Sequence, residues 1–309
     1  MVGFSVQLLG IRIFISCIGL LGNVFLIFSI VQIKFSRVKS FELFLLGMAI
    51  ANLEEILIVN SYDTIVLQTS STYTGTLSCR TLKFLTVFGE ITSILFTVLI
   101  SIFRYQKLRD AEKRVNLPIV LDNIGSAWMV SGVCVMLSVL LSIPIFFINL
   151  QAPAENITRN NTGCPPDFFQ CSKNMCPTFN KFYKYMFIIA CNVLPLIIVT
   201  VTSCLIITVL LNQRKMVTPV VSVSGQSQFG GKSKDVRLQR STIAVLAAMG
   251  LFLVDWTLYL IFQLTFNSTK FPFWAEMEFF ISISYTSFSP FVYGIGNNLF
   301  SLKNLIRLF

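Results

Sequence analysis

Seven stretches of continuous apolar sequence, at 13–31, 41–66, 82–103, 124–150, 185–211, 241–266 and 273–296, leave this chain few ways to fold. A helix rising 1.5 Å per residue needs about 20 mainly apolar residues to cross about 30 Å of hydrocarbon, and each stretch is of that order. None alternates apolar and polar residues with a period of two, so the strands of a transmembrane barrel are excluded. Charged residues make up only 12% of the chain, against about 25% in a soluble domain. Most helix surface must therefore face something other than water. The expectation is an all-α membrane protein: a seven-transmembrane helix bundle occupying 1–309 as a single domain, closed by a short amphipathic C-terminal helix at 298–309 lying on the lipid bilayer.

Basic residues set the orientation. Lys34, Arg37 and Lys39 follow the first stretch, and Lys107, Arg109, Lys113 and Arg114 the third. Arg214, Lys215, Lys232, Lys234, Arg237 and Arg240 follow the fifth. The other connections are poorer, so this set is expected in the cytoplasm and the N-terminus outside. The net charge of +10 then reads as a topology signal, and no basic-aromatic track suits nucleic acid. Asn156, Asn160 and Asn267 open glycosylation sequons, each in a connection already assigned outside. The segment 217–233, rich in Ser, Gly and Gln, reads as a flexible linker.

Cysteines divide the same way. Cys17, Cys134, Cys191 and Cys204 fall within the apolar stretches as small packers. Cys79, Cys164, Cys171 and Cys176 fall outside, in an oxidising compartment. Four cysteines allow three pairings. A bridge from Cys79 to Cys171 or Cys176 would tie the long second outer connection across the mouth of the bundle.

Histidine is absent, which removes serine–histidine and cysteine–histidine catalysis and histidine-ligated metals. The reading is no enzyme, no metal and no cofactor. Charges inside the spans are costly and so informative: Glu54, Glu55, Glu90 and Asp255, with Arg12 and Lys83 as basic counterparts. Glu276 and Glu278 are expected at the membrane interface. Such acids would also suit the cation or proton path of an ion channel or transporter, the main rival reading. No internal repeat and no paired Gly/Pro-broken helices support it.

Several residues recur in order, one set per stretch: Asn23, Asn52, Phe103-Arg104-Tyr105, Trp128, Pro195, Phe252 with Trp256, and Ser289-Pro290-Phe-Val-Tyr293. With these the chain resembles the rhodopsin-like G-protein-coupled receptors over nearly its whole length. The segment 103–118, beginning Phe-Arg-Tyr-Gln-Lys-Leu-Arg-Asp, is similar to that of vomeronasal type-1 receptors and the fish olfactory receptors called class A-like. This resemblance implies a multi-pass chemosensory receptor in the plasma membrane of sensory neurons, with an odorant or pheromone as ligand and a heterotrimeric G protein as partner. Arg104, Tyr105 and Tyr293 would then meet the G protein. Glu90 and Asp255 would form a polar floor to a ligand cavity, with Glu55, Lys83 and Trp256 beside them. The ligand should be small, because the outer N-terminus is only about ten residues long. There are departures from the pattern. Asn52 stands where most members carry an aspartate, Phe103 where an acidic residue precedes the arginine, and Leu258 where a proline follows the tryptophan.

Overall fold

The computed structural model describes residues 2–32, 39–68, 76–113, 120–148, 177–216, 229–265, 274–297 and 299–300, and every regular element among them is helical. The helices are α1 (Val2–Val31), α2 (Ser40–Gln68), α3 (Thr76–Lys113), α4 (Ile124–Ser142, continued by a 3-10 turn at Ile143–Phe147), α5 (178–216), α6 (Phe229–Thr265) and α7 (Trp274–Gly296). In hydrocarbon no water can satisfy a backbone N–H or C=O, so a helix, which bonds them internally, is the form these apolar stretches take. Among the described residues, five spans are long and apolar enough to cross a membrane by themselves: Gly10–Val31, Leu77–Ala111, Ile124–Phe147, Thr178–Asn212 and Arg240–Thr265.

The helices form a seven-membered bundle with α3 at its centre. α3 packs on α2, α4, α5 and α6, while α7 packs on α1, α2 and α6. Within the span windows, 72% of α3 is buried against 22% of α4, so α4 presents most of its length outward. Trp128, Met129, Val133, Met136 and Leu140 of α4 are exposed, as are Phe14 and Leu21 of α1 and Ile197 and Val201 of α5. An apolar girdle of this extent suits lipid and would aggregate in water. Small residues allow close approach where α1 meets α7: a Cβ at Gly19 would collide with Ser287 and Ile56, and one at Gly22 with Pro290 and Phe291.

Two prolines shape the bundle. Pro290 lies inside α7 and cannot donate to the carbonyl of Thr286. That carbonyl instead accepts Asn23 Nδ2 from α1 at 2.9 Å. Pro195 similarly cannot bond back to Cys191, and its ring crowds that carbonyl. Just upstream the backbone widens into a π-helical turn at Ile188–Val193, with the Leu194 N–H bonding back to Ile189 O.

Several helices overrun the apolar stretches that announce them. α3 extends to Thr76 and Lys113, α5 begins at Thr178, and α6 begins at Phe229. The last corrects the linker reading, because 229–233 is helical. Hydropathy reports the thickness of hydrocarbon, whereas Lys, Arg, Gln and Leu continue a helix into water at little cost. After α7 the chain turns, with Leu299 N donating to Gly294 O at 2.9 Å, and the Phe300 ring packs edge-on against Phe25. The rest of the expected amphipathic helix at 298–309, the sequon residues Asn156, Asn160 and Asn267, and Cys164, Cys171 and Cys176 lie outside the described residues. Cys79 is buried at the start of α3 and is not among the free thiols Cys17, Cys134, Cys191 and Cys204.

Candidate functional site

Polar side chains run through the bundle in three groups, each positioned by α3. The middle group is neutral and closed. Asn52 Nδ2 donates to Asn23 Oδ1 at 3.3 Å and to Ser289 Oγ at 3.4 Å, and Ser93 Oγ donates to Asn52 Oδ1 at 2.5 Å. A carboxylate at position 52 could only accept, so it would lose the bond to Asn23 Oδ1, and the Ser289 hydroxyl would have to turn and donate. Tyr285 and Thr97 join their hydroxyls at 2.7 Å just beside this group.

Nearer the Cys79 end, the structure brings together Glu55, Lys83 and Glu90. Glu55 is 1% exposed and accepts from Ser282 Oγ of α7 at 2.7 Å. Glu90 is 6% exposed and stands within electrostatic reach of Lys83 and Glu278, while Glu55 feels Glu90, Glu54 and Lys83. Lys83 Nζ lies 3.9 Å from Glu278. Glu278 therefore turns inward to pair and does not sit exposed at the interface as its position suggested. The side chain of Glu276 is outside the described set. Gly89 lets α2 approach α3 here, since a Cβ on it would strike the Glu54 carboxylate.

Hydrogen bonding in this group is incomplete. Glu90 Oε1 and both carboxylate oxygens of Glu54 are buried without a donor. A buried acceptor left unmade costs about 1–3 kcal/mol, and more when charged.

Asp255 and Trp256 belong to a neighbouring arrangement on α6. Asp255 accepts from Ser284 Oγ of α7 at 2.8 Å. Ser282 and Ser284 are two residues apart, about 200° around a helix, so α7 engages Glu55 on one flank and Asp255 on the other. Trp256 is buried between Phe252 (5.9 Å between ring centroids) and Tyr259 (5.2 Å), and its Nε1 has no acceptor.

A narrow cleft opens between the π-turn of α5 and the same end of α6. Lys184, Phe187, Ile188 and Asn192 line one wall, Tyr259 and Gln263 the other. Its volume of about 10 Å³ is close to that needed for one water. Asn192 is 2% exposed, and its Oδ1 has no donor. Sequence reasoning named none of these six residues. Asn192 and Gln263 carried a signal, being polar inside apolar stretches; the π-turn carried none beyond Pro195.

At the far end of α3 the polar groups are partly paired, with Arg104 Nε, Gln106 Oε1, Arg109 Nε and the Tyr293 hydroxyl buried without a partner. Arg104 is 8% exposed. Its guanidinium carbon sits 3.5 Å from the Phe41 ring centroid, and Nη2 donates to Asn297 Oδ1 at 3.0 Å. Phe103 stacks on Phe41 at 6.1 Å and meets Phe44 edge-on at 5.7 Å. Tyr105 faces the Arg109 guanidinium at 5.8 Å, and the Tyr293 side chain is fully buried. Lys107 pairs with Asp122 at 2.5 Å, and Ser40 Oγ donates to Asp122 O at 3.0 Å. Those contacts tie α3 and the start of α2 to the turn before α4.

The sequence profile of the family described as 7 transmembrane receptor (rhodopsin family) matches residues 22–293. The match opens beside Asn23 and closes at Tyr293, so it takes in the three polar groups apart from Asn297. No curated protein matches the chain.

Proposed function

The chain belongs to the rhodopsin family of seven-transmembrane receptors, membrane proteins that signal through G proteins, and from that premise we propose that it is a chemosensory receptor for a small odorant or pheromone. The likeness of 103–118 to vomeronasal type-1 and fish class A-like olfactory receptors supports the sensory reading. The ligand enters at the Cys79 end and contacts Glu55, Lys83, Glu90, Asp255 and Trp256. It reaches the α5–α6 cleft as these helices part. A heterotrimeric G protein docks at the other end, on Arg104 and Tyr105, with Tyr293 moving to support them.

One observation carries the ligand's place in the bundle. Glu54, Glu90 and Asn192, all towards the Cys79 end, hold buried acceptors without donors, and a ligand offering N–H or O–H groups relieves that deficit. About 21 Å of α3 separates Glu90 from Arg104, so one continuous helix links the two functions. Activation requires two arrangements that the ligand binds unequally; here α6 moves relative to α3. In this reading the N-terminus faces outward at the plasma membrane of chemosensory neurons. Asn156, Asn160 and Asn267 carry glycans, and Cys79 bridges to Cys171 or Cys176.

The test is expression of the full chain with a promiscuous G protein, a surface stain, and a screen of acids, amines and steroid-like odorants. A response at normal surface levels, weakened by Glu90→Gln or Asp255→Asn, supports the reading. Ligand-evoked current without any G protein would instead favour a channel built on the same acids.

A further inference from the structure

Arg104 is buried on α3 with Phe103 before it, and it forms no ion pair among the described residues. Removing a guanidinium from water is unfavourable unless other groups replace the lost hydration. Two elements replace part of it, and Nε is left without a partner. Phe41 of α2 offers its ring face, held in place by the stacked Phe103. Asn297, just past the end of α7, accepts from Arg104 through Oδ1. The same Oδ1 accepts from the Ser241 hydroxyl of α6, while Asn297 Nδ2 donates to Tyr293 O at 2.8 Å. Arginine has no acceptor, so the amide atom facing it must be the oxygen, and the Tyr293 carbonyl fixes the amide in that sense.

We infer that Asn297 is the positioning residue that keeps Arg104 inside the bundle and ties α6 to α3 through Ser241, a neutral amide clasp standing where an ion pair would otherwise act. The inference rests on the proposed coupling through Arg104. The two bonds share one oxygen, so a movement of the Asn297 side chain breaks both. Arg104 cannot swing to the end face while it donates to Asn297, and α6 cannot leave without losing Ser241 from the same atom. A carboxylate at 297 would give up the Nδ2 bond to Tyr293 O but would accept the other two and add charge attraction to Arg104, tightening the clasp. An alanine removes both bonds.

The experiment compares ligand-free G-protein activation, at matched surface level, for the wild-type chain and for Asn297→Ala, Ser241→Ala and Asn297→Asp. Spin labels at Ala111→Cys and Ile243→Cys in the purified full chain report the α3–α6 separation in parallel. Loss of one hydrogen bond to a charged group predicts about a tenfold shift of the two-state equilibrium. Asn297→Ala should therefore raise basal activation severalfold and lengthen the label distance, Ser241→Ala should do so to a smaller degree, and Asn297→Asp should lower activation below wild type. A residue that only supports packing would not give opposite signs for alanine and aspartate. Ser241→Ala covers the case in which Asn297→Ala folds poorly. Unmoved labels with unchanged or reduced basal activation in both alanine variants would overturn the clasp. Labels that separate while no variant activates a G protein would uphold the clasp and sink the coupling reading instead.

Discussion

At the Arg104 end of α3 a buried charge is enclosed by the Phe41 ring and an amide oxygen, whereas around Glu90 buried carboxylate oxygens sit close to one another with too few donors. Both regions lie inside the same helical bundle, and both leave buried polar atoms without a partner, among them Arg104 Nε, Gln106 Oε1 and the Tyr293 hydroxyl at one end and the Glu54 carboxylate at the other. They differ in that the Arg104 end is bridged between helices through Asn297 and Ser241, whereas neither Glu54 oxygen has a donor. A bridge between helices defines a ground arrangement that must be broken to act. A buried carboxylate without donors gains from an added molecule that brings N–H or O–H groups. On the proposed reading, the switch belongs to the first region and the ligand to the second.

The sharpest way to break the comparison is Arg104→Ala. Losing a charged hydrogen bond, worth about 1.5–3 kcal/mol, should lower ligand-driven nucleotide exchange by tenfold or more in reconstituted receptor while leaving ligand binding at the other end within a few fold. A loss of ligand binding as large as the loss of exchange would mean that the two ends are not separate. Next comes Glu90→Gln, which replaces a buried carboxyl with an oxygen lacking a donor. Ligand potency should fall by about tenfold, and thermal stability of the ligand-free receptor should hold or rise, because a neutral amide is less costly to bury than a carboxylate. A fall in melting temperature would show that the Glu90 carboxyl is already stabilised by its neighbours.

Asn192→Leu sharpens the same point at the π-turn. Replacing the orphan amide by an apolar side chain of similar size should stabilise the ligand-free receptor by about 1 kcal/mol, read as a melting shift of a few degrees. A ligand that reaches the cleft loses potency in this variant. The smallest expected effect is that of Ser284→Ala. It deletes the donor that Asp255 uses, on the opposite flank of α7 from Ser282, and should shift potency by about threefold. Response curves at matched surface level measure it.

The interiors of the helices were legible because about 20 apolar residues in a row have one solution in lipid, as in 13–31 or 124–150. Their ends were not. The starts of α5 at Thr178 and of α6 at Phe229 lie beyond the apolar stretches, where hydropathy carries no message. Arg104 could be read because it stands in a recognisable string with Phe103 and Tyr105, and Glu55, Lys83 and Glu90 because charge within an apolar run is conspicuous. Asn297 and Phe41 could not. Nothing local distinguishes an asparagine after a helix or one phenylalanine among 30, and their roles exist only once α2, α3 and α7 meet. Glu278 is the intermediate case: its position near the start of α7 pointed to the interface, and only Lys83 across the bundle shows why it turns inward.

The central claim is that the two ends of α3 lie on opposite sides of a membrane, one for ligand and one for G protein. Single cysteines placed at Leu77 and at Ala111, both exposed on α3, can be challenged in intact cells with a membrane-impermeant thiol reagent. The account predicts labelling at position 77 alone, with position 111 reacting only after permeabilisation. Equal labelling of both in intact cells would contradict it.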